Sequence, residues 1–397
     1  MAVTKQGIFA AVAGLLLLQS AQAAVLPEDR ADLLFHNYAG DDSTFKGPSI
    51  LVRKQFKETV SAWANYYVDM NSAASIDVVT QGSPYEEVRD EASIGFDYLY
   101  NKTILSASTK VSDENDYFAE SYSLGLSQDF FGDMSTFTMG YSHGADDVYQ
   151  NIRDGNGADD IIGRTFFGNA KHQRFSVGWS QIFTKNWIVS FNGEASVDEG
   201  FLRNPYRSVR YVSADDGTSV DASSEPENYP TTRSSQAYAI KSMYFLPWRA
   251  ALRAEYRGFN DSWDIVASNY EFRYIHRYKE DWIFELRYRY YDQTQASFYR
   301  DLYDFQEQFE FRASDKELST FNNTAIGFGA TYEFDTNWIG WIDRATVNLY
   351  VDRINYQYEN FLDKRVSAAP GSTVNPGEEP AFEFDATITR FFLSIWY

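Results

Sequence analysis

Charged and apolar residues alternate along three stretches in the C-terminal half of the chain. In the first stretch, Trp248, Leu252 and Tyr256 are separated by arginine, alanine and glutamate. A period of two places the two classes on opposite faces of a β-strand, whereas helical spacing would put arginines on every side. The pattern therefore predicts one charged face of a sheet, made of Arg249, Arg253, Glu255, Arg257, Glu271, Arg273, Glu285, Arg287 and Arg289.

Two kinds of chemistry fit this charged face. It is either a salt-bridge lattice that braces neighbouring strands, or a basic stripe in a water-filled pore that favours anionic solutes. Positive residues outnumber negative ones here although the formal charge of the chain is −21. If the stripe alternative holds, neutralising Arg253, Arg273 and Arg287 is expected to lower conductance or anion preference. The facing N-terminal half is rich in Ser, Gly, Thr and Asn, which leaves room for water or an inserted loop.

Candidate catalytic residues are few. Ser142-His143 and His172 are the only local arrangements that resemble a rim active site, and there is no G-x-S-x-G motif. None of the four histidines has a second ligand at metal spacing. We therefore predict that the protein is not an enzyme.

One loop has the composition of a calcium-binding turn. Oxygen-bearing side chains alternate with glycine in the segment that contains Asp154, Asn156, Asp159 and Asp160. The loop lacks the closing glutamate of an EF-hand, and such runs are common in solvated loops. The prediction is therefore no cofactor, with calcium in this external loop as the alternative.

The first residues have the features of a secretory signal peptide. Lys5 supplies a positive start, Ile8 to Leu18 an apolar segment, and Ala21-Gln22-Ala23 a cleavage site. Residues 1–23 are thus predicted to be removed, which leaves residues 24–397 as a single domain. No later segment reaches the roughly 18 apolar residues of a membrane helix, so a membrane location requires a closed barrel.

Composition agrees with a barrel that is wet inside and apolar outside. Aromatic residues make up 17% of the chain, yet the mean hydropathy is −0.44. Cysteine is absent, which excludes disulfides and thiolate metal sites. The acidic charge argues against nucleic acid as a partner. Acidic external loops would instead suit divalent cations that bridge to lipopolysaccharide, in the outer membrane of a Gram-negative bacterium.

Short polar turns and long loops alternate between the predicted strands. The long loops fall near residues 71–89, 144–170, 198–233, 294–317 and 357–380. Outer-membrane barrels have short periplasmic turns and long external loops. We therefore predict an all-β protein: one antiparallel transmembrane barrel of about sixteen strands, with both termini in the periplasm. Several tryptophans lie near the short turns and would form an aromatic girdle there.

The last strand ends on an aromatic residue. Phe391, Leu393, Ile395 and Tyr397 form one apolar edge, which is typical of the signal read by the barrel-insertion machinery. Upstream, the apolar residues from Phe382 to Ile388 occupy the opposite parity. A β-bulge near Thr389 is expected to restore a single lipid-facing edge.

Several strings resemble a known family. Residues 69–78 fit the pattern Asp-x-x-Ser-x-Ala-Ser-x-Asp-Val, and further matches fall at residues 198–211, 229–233 and 315–321. They are similar to signatures of an uncharacterised family of proteobacterial outer-membrane barrels, known only as a domain of unknown function. The resemblance implies an outer-membrane barrel and brings no substrate. It also implies a partner among small lipoproteins or redox proteins of the cell envelope.

Two functions remain open at this point. The first is a channel or transporter for a small polar solute, with anions favoured by the arginines. The second is a plugged barrel that acts as a scaffold or export partner for another cell-envelope protein, with its loops as the interface.

Overall fold

Sixteen antiparallel strands form a closed barrel in which the first strand pairs with the last. The computed structural model describes residues 25–40, 43–73, 85–153, 161–213, 221–334, 336 and 339–397. The predicted fold class is therefore confirmed, while the predicted signal peptide lies outside the described residues. The barrel strands are β1 (Arg30–Gly40), β2 (Ser43–Phe56), β3 (Val60–Ala73), β4 (Tyr85–Tyr100), β5 (Thr103–Asp113), β6 (Tyr117–Phe130), β7 (Ser135–Arg153), β8 (Ile161–Thr184), β9 (Trp187–Gly200), β12 (Thr232–Leu246), β13 (Ala250–Asp261), β14 (Val266–Tyr278), β15 (Trp282–Gln293), β17 (Phe321–Phe334), β18 (Arg344–Leu362) and β19 (Ala381–Trp396).

One end of the barrel carries the short turns. Both ends of the described chain lie there, and the Tyr397 amide donates to the Asp29 carbonyl at 3.3 Å. Tight hairpins require left-handed backbone in order to match the twist of the strands. Positive φ angles occur in these turns at Lys57, Glu58, Asn101, Phe131, Asp133, Arg249 and Lys279. The other end carries the long connections.

The outer face of the barrel is apolar. Phe391 of β19 aligns with Leu349 of β18 and with Phe35 of β1. Their exposed fractions are 40%, 46% and 45%. Leu393 continues this face, in register with Val347 and Leu33. Large side chains at alternate positions thus face away from the barrel, as the period of two requires.

The bulge predicted near Thr389 is wrong. Thr389 pairs with Val351 in an uninterrupted register, and the shift between β18 and β19 lies instead between Gln357 and Leu362. The even-numbered residues of β19 face the interior, where Phe382 is 1% and Ala386 0% exposed. The upper half of β19 is therefore apolar on its inner face and carries Glu383 and Asp385 on its outer face, whereas the lower half is apolar on the outer face.

A second structural unit, which we call the cap, fills the end with long connections. It is built from residues 201–213, 221–231, 294–320 and 363–380. Its strands β10 (Ser208–Ser213), β11 (Asp221–Pro226) and β16 (Leu302–Tyr303) form a three-stranded sheet. A 3₁₀ turn (Lys316–Leu318) and the short helix α1 (Lys364–Ala368) complete it. Strand β10 therefore lies outside the barrel wall.

The cap has its own apolar core. Tyr299 (2% exposed), Leu318 (1%) and Ala313 (0%) pack with residues from the upper ends of the barrel strands. Phe361 of β18 is 0% exposed, and its ring centroid lies 5.7 Å from that of Phe382. The cap is therefore held to the wall by β18 and β19. Among the described residues, no helix has the length and apolar character to cross a membrane.

Replacing Phe361 by alanine tests this attachment. Loss of a fully buried aromatic side chain costs about 3–5 kcal/mol, and here the loss falls on the contact between cap and wall. Hydrogen–deuterium exchange of residues 294–320 is expected to accelerate, while the wall strands keep their protection. The matched control is Phe391→Ala, on the outer face, which should leave the cap unchanged. Equal cap protection in both variants would contradict the attachment.

Candidate functional site

Most of the predicted charged residues meet on the inner face of β13, β14 and β15. Arg253 donates to Glu255 at 2.7 Å. Arg273 donates to Glu271 at 2.6 Å and to Glu285, on the next strand, at 3.0 Å. Because the strands are antiparallel and in register, inward side chains of neighbouring strands are close enough to pair. We call this network the lattice.

The lattice extends to residues that were not predicted. Asp352 of β18 is 2% exposed and accepts from two guanidinium groups. Arg287 approaches it at 2.7 Å and Arg390 at 2.5 Å. Lys241 of β12 lies 3.6 Å from Glu255. The inward parity of these positions on their strands was the available signal for including Asp352, Arg390 and Lys241.

A glycine allows Arg287 and Asp352, which lie on strands that are not neighbours, to contact each other. Gly327 of β17 lies between Arg287 and Asp352 in the same row of the sheet. A Cβ atom at Gly327 would be 1.9 Å from the Asp352 Oδ1 atom. The missing side chain therefore lets Arg287 and Asp352 reach each other across an intervening strand.

Three predicted arginines are placed differently from the lattice core. Arg249 lies in the short turn before β13, half-exposed, with its guanidinium 3.5 Å from Glu280. Arg289 donates to the amide oxygen of Asn323 at 3.0 Å. Arg257 lies on β13, four residues above Arg253. The arginines in the centre are thus matched by carboxylates, as in the bracing alternative.

The inner wall on β6 to β9, which continues the barrel beyond β12, is open. Thr138, Ser176 and Asn192 face inward and are nevertheless exposed. Arg174 and Glu194 form a 3.3 Å ion pair whose side chains are 55% and 36% exposed. Small polar side chains leave space that solvent occupies, whereas the lattice wall is closely packed. The interior is therefore open to solvent along β6 to β9 and closely packed along β13 to β15.

Ionic contacts hold the cap together above this interior. Arg210 of β10 lies 2.5 Å from Asp301 and 2.6 Å from Glu379. Arg207 lies 3.0 Å from Asp315. The Glu379 side chain is 0% exposed, and the Arg210 guanidinium holds its pKa below the usual value in spite of burial. These bonds join segments that are far apart in sequence.

A buried carboxyl lies in the centre of the cap. Glu227 is 1% exposed. It accepts from the Tyr229 hydroxyl and from the Ser314 amide, both at 2.7 Å. Burial raises the pKa of Glu227 to about 7, with Arg207 opposing and Asp315 reinforcing the rise. This group is therefore half-ionised near neutral pH.

The candidate catalytic residues are not assembled. Ser142 and His143 are adjacent on β7 and so point to opposite faces, and His143 packs on the outward ring of Tyr122 with centroids 5.2 Å apart. His172 faces inward and is held by two carboxylates, Asp198 at 2.7 Å and Asp146 at 2.8 Å.

No metal-binding group is seen in the part of the chain that the structure describes. Within it, no three His, Asp or Glu residues are placed to hold a metal ion. The calcium candidates lie outside the described residues: Asp154, Asn156, Asp159 and Asp160.

Comparison with protein families identifies relatives by sequence. Residues 54–353 match the family described as "Protein of unknown function (DUF3570)". The chain belongs to this family. The strings at residues 204–211, 229–233 and 315–321 lie in the cap or where it joins the wall. The predicted resemblance to a family of unknown function is confirmed. The first string, residues 69–78, begins on β3 and lies partly outside the described residues.

Comparisons with curated proteins and with solved structures add the following. No curated protein matches the sequence. A bacterial polysaccharide outer membrane secretin is similar with a TM-score of 0.48 and 7% identity over 94% of this chain and 99% of that one. The CymD monoaromatic hydrocarbon channel is similar with a TM-score of 0.45 and 9% identity over 96% of this chain and 92% of that one. The siderophore receptor PirA from Pseudomonas aeruginosa is similar with a TM-score of 0.43 and 8% identity over 93% of this chain and 63% of that one.

Replacing Gly327 by alanine tests the lattice. The added methyl group would overlap Asp352 and separate it from Arg287, so we expect the protein to lose about 1–3 kcal/mol of stability. The matched control is Gly125→Ala on the open wall, where the nearest atom to a Cβ is 3.4 Å away. The measurement is the midpoint of urea unfolding in lipid vesicles. Similar midpoints for the two variants would argue against a packed lattice.

Replacing Glu227 by glutamine tests the buried carboxyl. The folded-state pKa of about 7 lies above the ordinary value of 4.5, so protonation stabilises the folded cap. This stability is complete below pH 4.5 and is lost as the pH rises through about 7, at about 1.4 kcal/mol for each pH unit between the two pKa values. Exchange of the cap amides is expected to be faster at pH 8 than at pH 5 after correction for intrinsic rates. In Glu227→Gln this difference should disappear, and its persistence would assign it to another group.

Proposed function

We propose that the protein is an outer-membrane barrel that conducts a small polar solute. The proposal is carried by one observation: inward side chains on β7 to β9, among them Thr138, Ser176 and Asn192, are exposed to solvent, whereas those of the lattice are packed. A water-lined wall inside a closed barrel supports conduction of solutes that water can accompany. The solute passes beside the lattice, which serves to brace the wall.

A membrane location follows from the outer face. Its exposed apolar belt would be unfavourable in water, and a closed sheet leaves no unpaired backbone for lipid to meet. Trp187, Trp248 and Trp341 are 39%, 57% and 67% exposed near the short turns, in keeping with an interfacial girdle. With the predicted signal peptide, these features support insertion in the outer membrane, with the cap outside.

A location in the outer membrane also indicates which partners the barrel would contact. The edge formed by Phe391, Leu393, Ile395 and Tyr397 would be read by the insertion machinery. Acidic external loops would hold divalent cations that bridge to lipopolysaccharide. Neither role involves a bound cofactor.

The size and charge of the solute are limited by the cap and the open wall. The cap lies across the outer end and narrows the entrance to the wet side. The ion pair of Arg174 and Glu194 is exposed on this wall, and Ser196 and Ser176 lie directly across from its two members. The geometry therefore favours a small, hydrogen-bonding solute over a large one.

A second candidate function rests on the outer surface of the cap. Phe305, Phe309 and Phe311 are 57%, 43% and 38% exposed in one segment. Exposed aromatic residues of this kind are typical of protein contact surfaces. They favour the alternative of a scaffold or export partner for another envelope protein, such as a small lipoprotein or redox protein.

Conductance in planar lipid bilayers distinguishes the two functions. The refolded mature protein is expected to give stable steps, and Ser176→Trp should lower their size because the indole would enter the wet side. The matched control is Val177→Trp, one residue further and on the outer face, which should leave conductance unchanged. A folded wild-type barrel that shows no steps would favour the scaffold.

A further inference from the structure

A cleft separates the cap from the open wall near the outer end of the barrel. It is open to solvent on one side, and its empty space of about 450 Å³ includes the solvent at its mouth. Tyr117, His172 and Arg233 line it from the barrel strands. Phe201, Leu202 and Arg203 line it from the cap. A solute that moves along the open wall would pass this cleft.

Two of the three cations in the cleft are already neutralised. His172 lies between Asp146 and Asp198, with one ring nitrogen bonded to each. Arg233 lies 2.5 Å from Asp261, whose side chain is 0% exposed. These groups fix the wall of the cleft, and their charges are satisfied without a ligand.

Arg203 is different. Among the described residues, no carboxylate lies within ion-pair distance of its guanidinium, which donates to the backbone carbonyl of Glu227. The guanidinium lies 5.2 Å from the centre of the Phe201 ring. Burial and the nearby Arg312 lower the pKa of Arg203. The cleft therefore contains a half-buried guanidinium that forms no ion pair among the described residues, although Glu227 attracts it at longer range.

We propose that this cleft binds a small organic anion with a flat apolar body. A carboxylate can accept two parallel hydrogen bonds from a guanidinium, which would supply the missing counter-charge. Phe201 and Leu202 provide an apolar surface next to Arg203 for the body of the ligand. The inference names a solute class for the proposed channel, but binding itself does not require conduction.

Isothermal titration calorimetry of the refolded mature protein in detergent tests this site. The probe is benzoate, with benzyl alcohol as its neutral analogue and inorganic phosphate as an anion without a ring. Benzoate is expected to bind more tightly than either. Arg203→Gln should weaken benzoate roughly tenfold or more, because a charge-assisted contact is lost. The matched control Arg365→Gln removes the same charge from the cap outside the cleft and should leave affinity unchanged.

The comparison of the three probes on the unaltered protein does not depend on any variant folding. Arg203→Lys, which keeps the charge, is expected to bind benzoate better than Arg203→Gln. Absence of benzoate binding, equal affinity for benzyl alcohol or phosphate, or equal weakening by Arg203→Gln and Arg365→Gln would each overturn the inference. If benzoate binds but the barrel shows no conductance, the proposed binding site stands and the proposed channel function is wrong. If the barrel conducts but benzoate does not bind, the channel function stands and the binding site is wrong.

Discussion

The pairing of β1 with β19 is the constraint on which the rest of the structure depends. It joins Leu33 to Leu393 and Phe35 to Phe391 in an unbroken register and leaves no exposed edge of the sheet. Once the sheet is closed, each residue has only two directions available, inward or outward. The apolar belt, the lattice and the wet wall are all consequences of that division.

Closure also decides how charge can be accommodated inside. An arginine on the inner face cannot turn towards bulk solvent, so it must find a carboxylate or water within the barrel. On the C-terminal wall, Glu271, Glu285 and Asp352 supply carboxylates, and Gly327 provides the room. On β2 to β5, Arg53 pairs with Asp97 and Arg89 with Glu91, whereas short side chains on β6 to β9 leave space that is open to solvent. The ion-paired lattice and the solvent-exposed wall lie side by side, which makes the interior asymmetric.

The fold could be predicted because a period of two is a local property of the sequence. The charged stretches around Arg253, Arg273 and Arg287 each show it within about ten residues. The partners of these arginines could not be read in the same way, because Asp352 and Arg390 belong to strands whose positions are set by the whole barrel. Apolar parity was misread on β19, since Phe382 packs beneath a cap that no local pattern reveals. The cleft was missed for a related reason: its sides come from β6 to β9, β12 and the loop after β9.

The long-range bonds of the cap have a consequence for how the molecule is made. Arg210 bonds to Glu379, a residue 169 positions later, and the core of the cap includes Phe382 on the final strand. The cap therefore cannot consolidate until nearly the whole chain is in place. During assembly the outer end therefore stays without its complete cover until β19 joins, so the last strand completes both the sheet and the entrance.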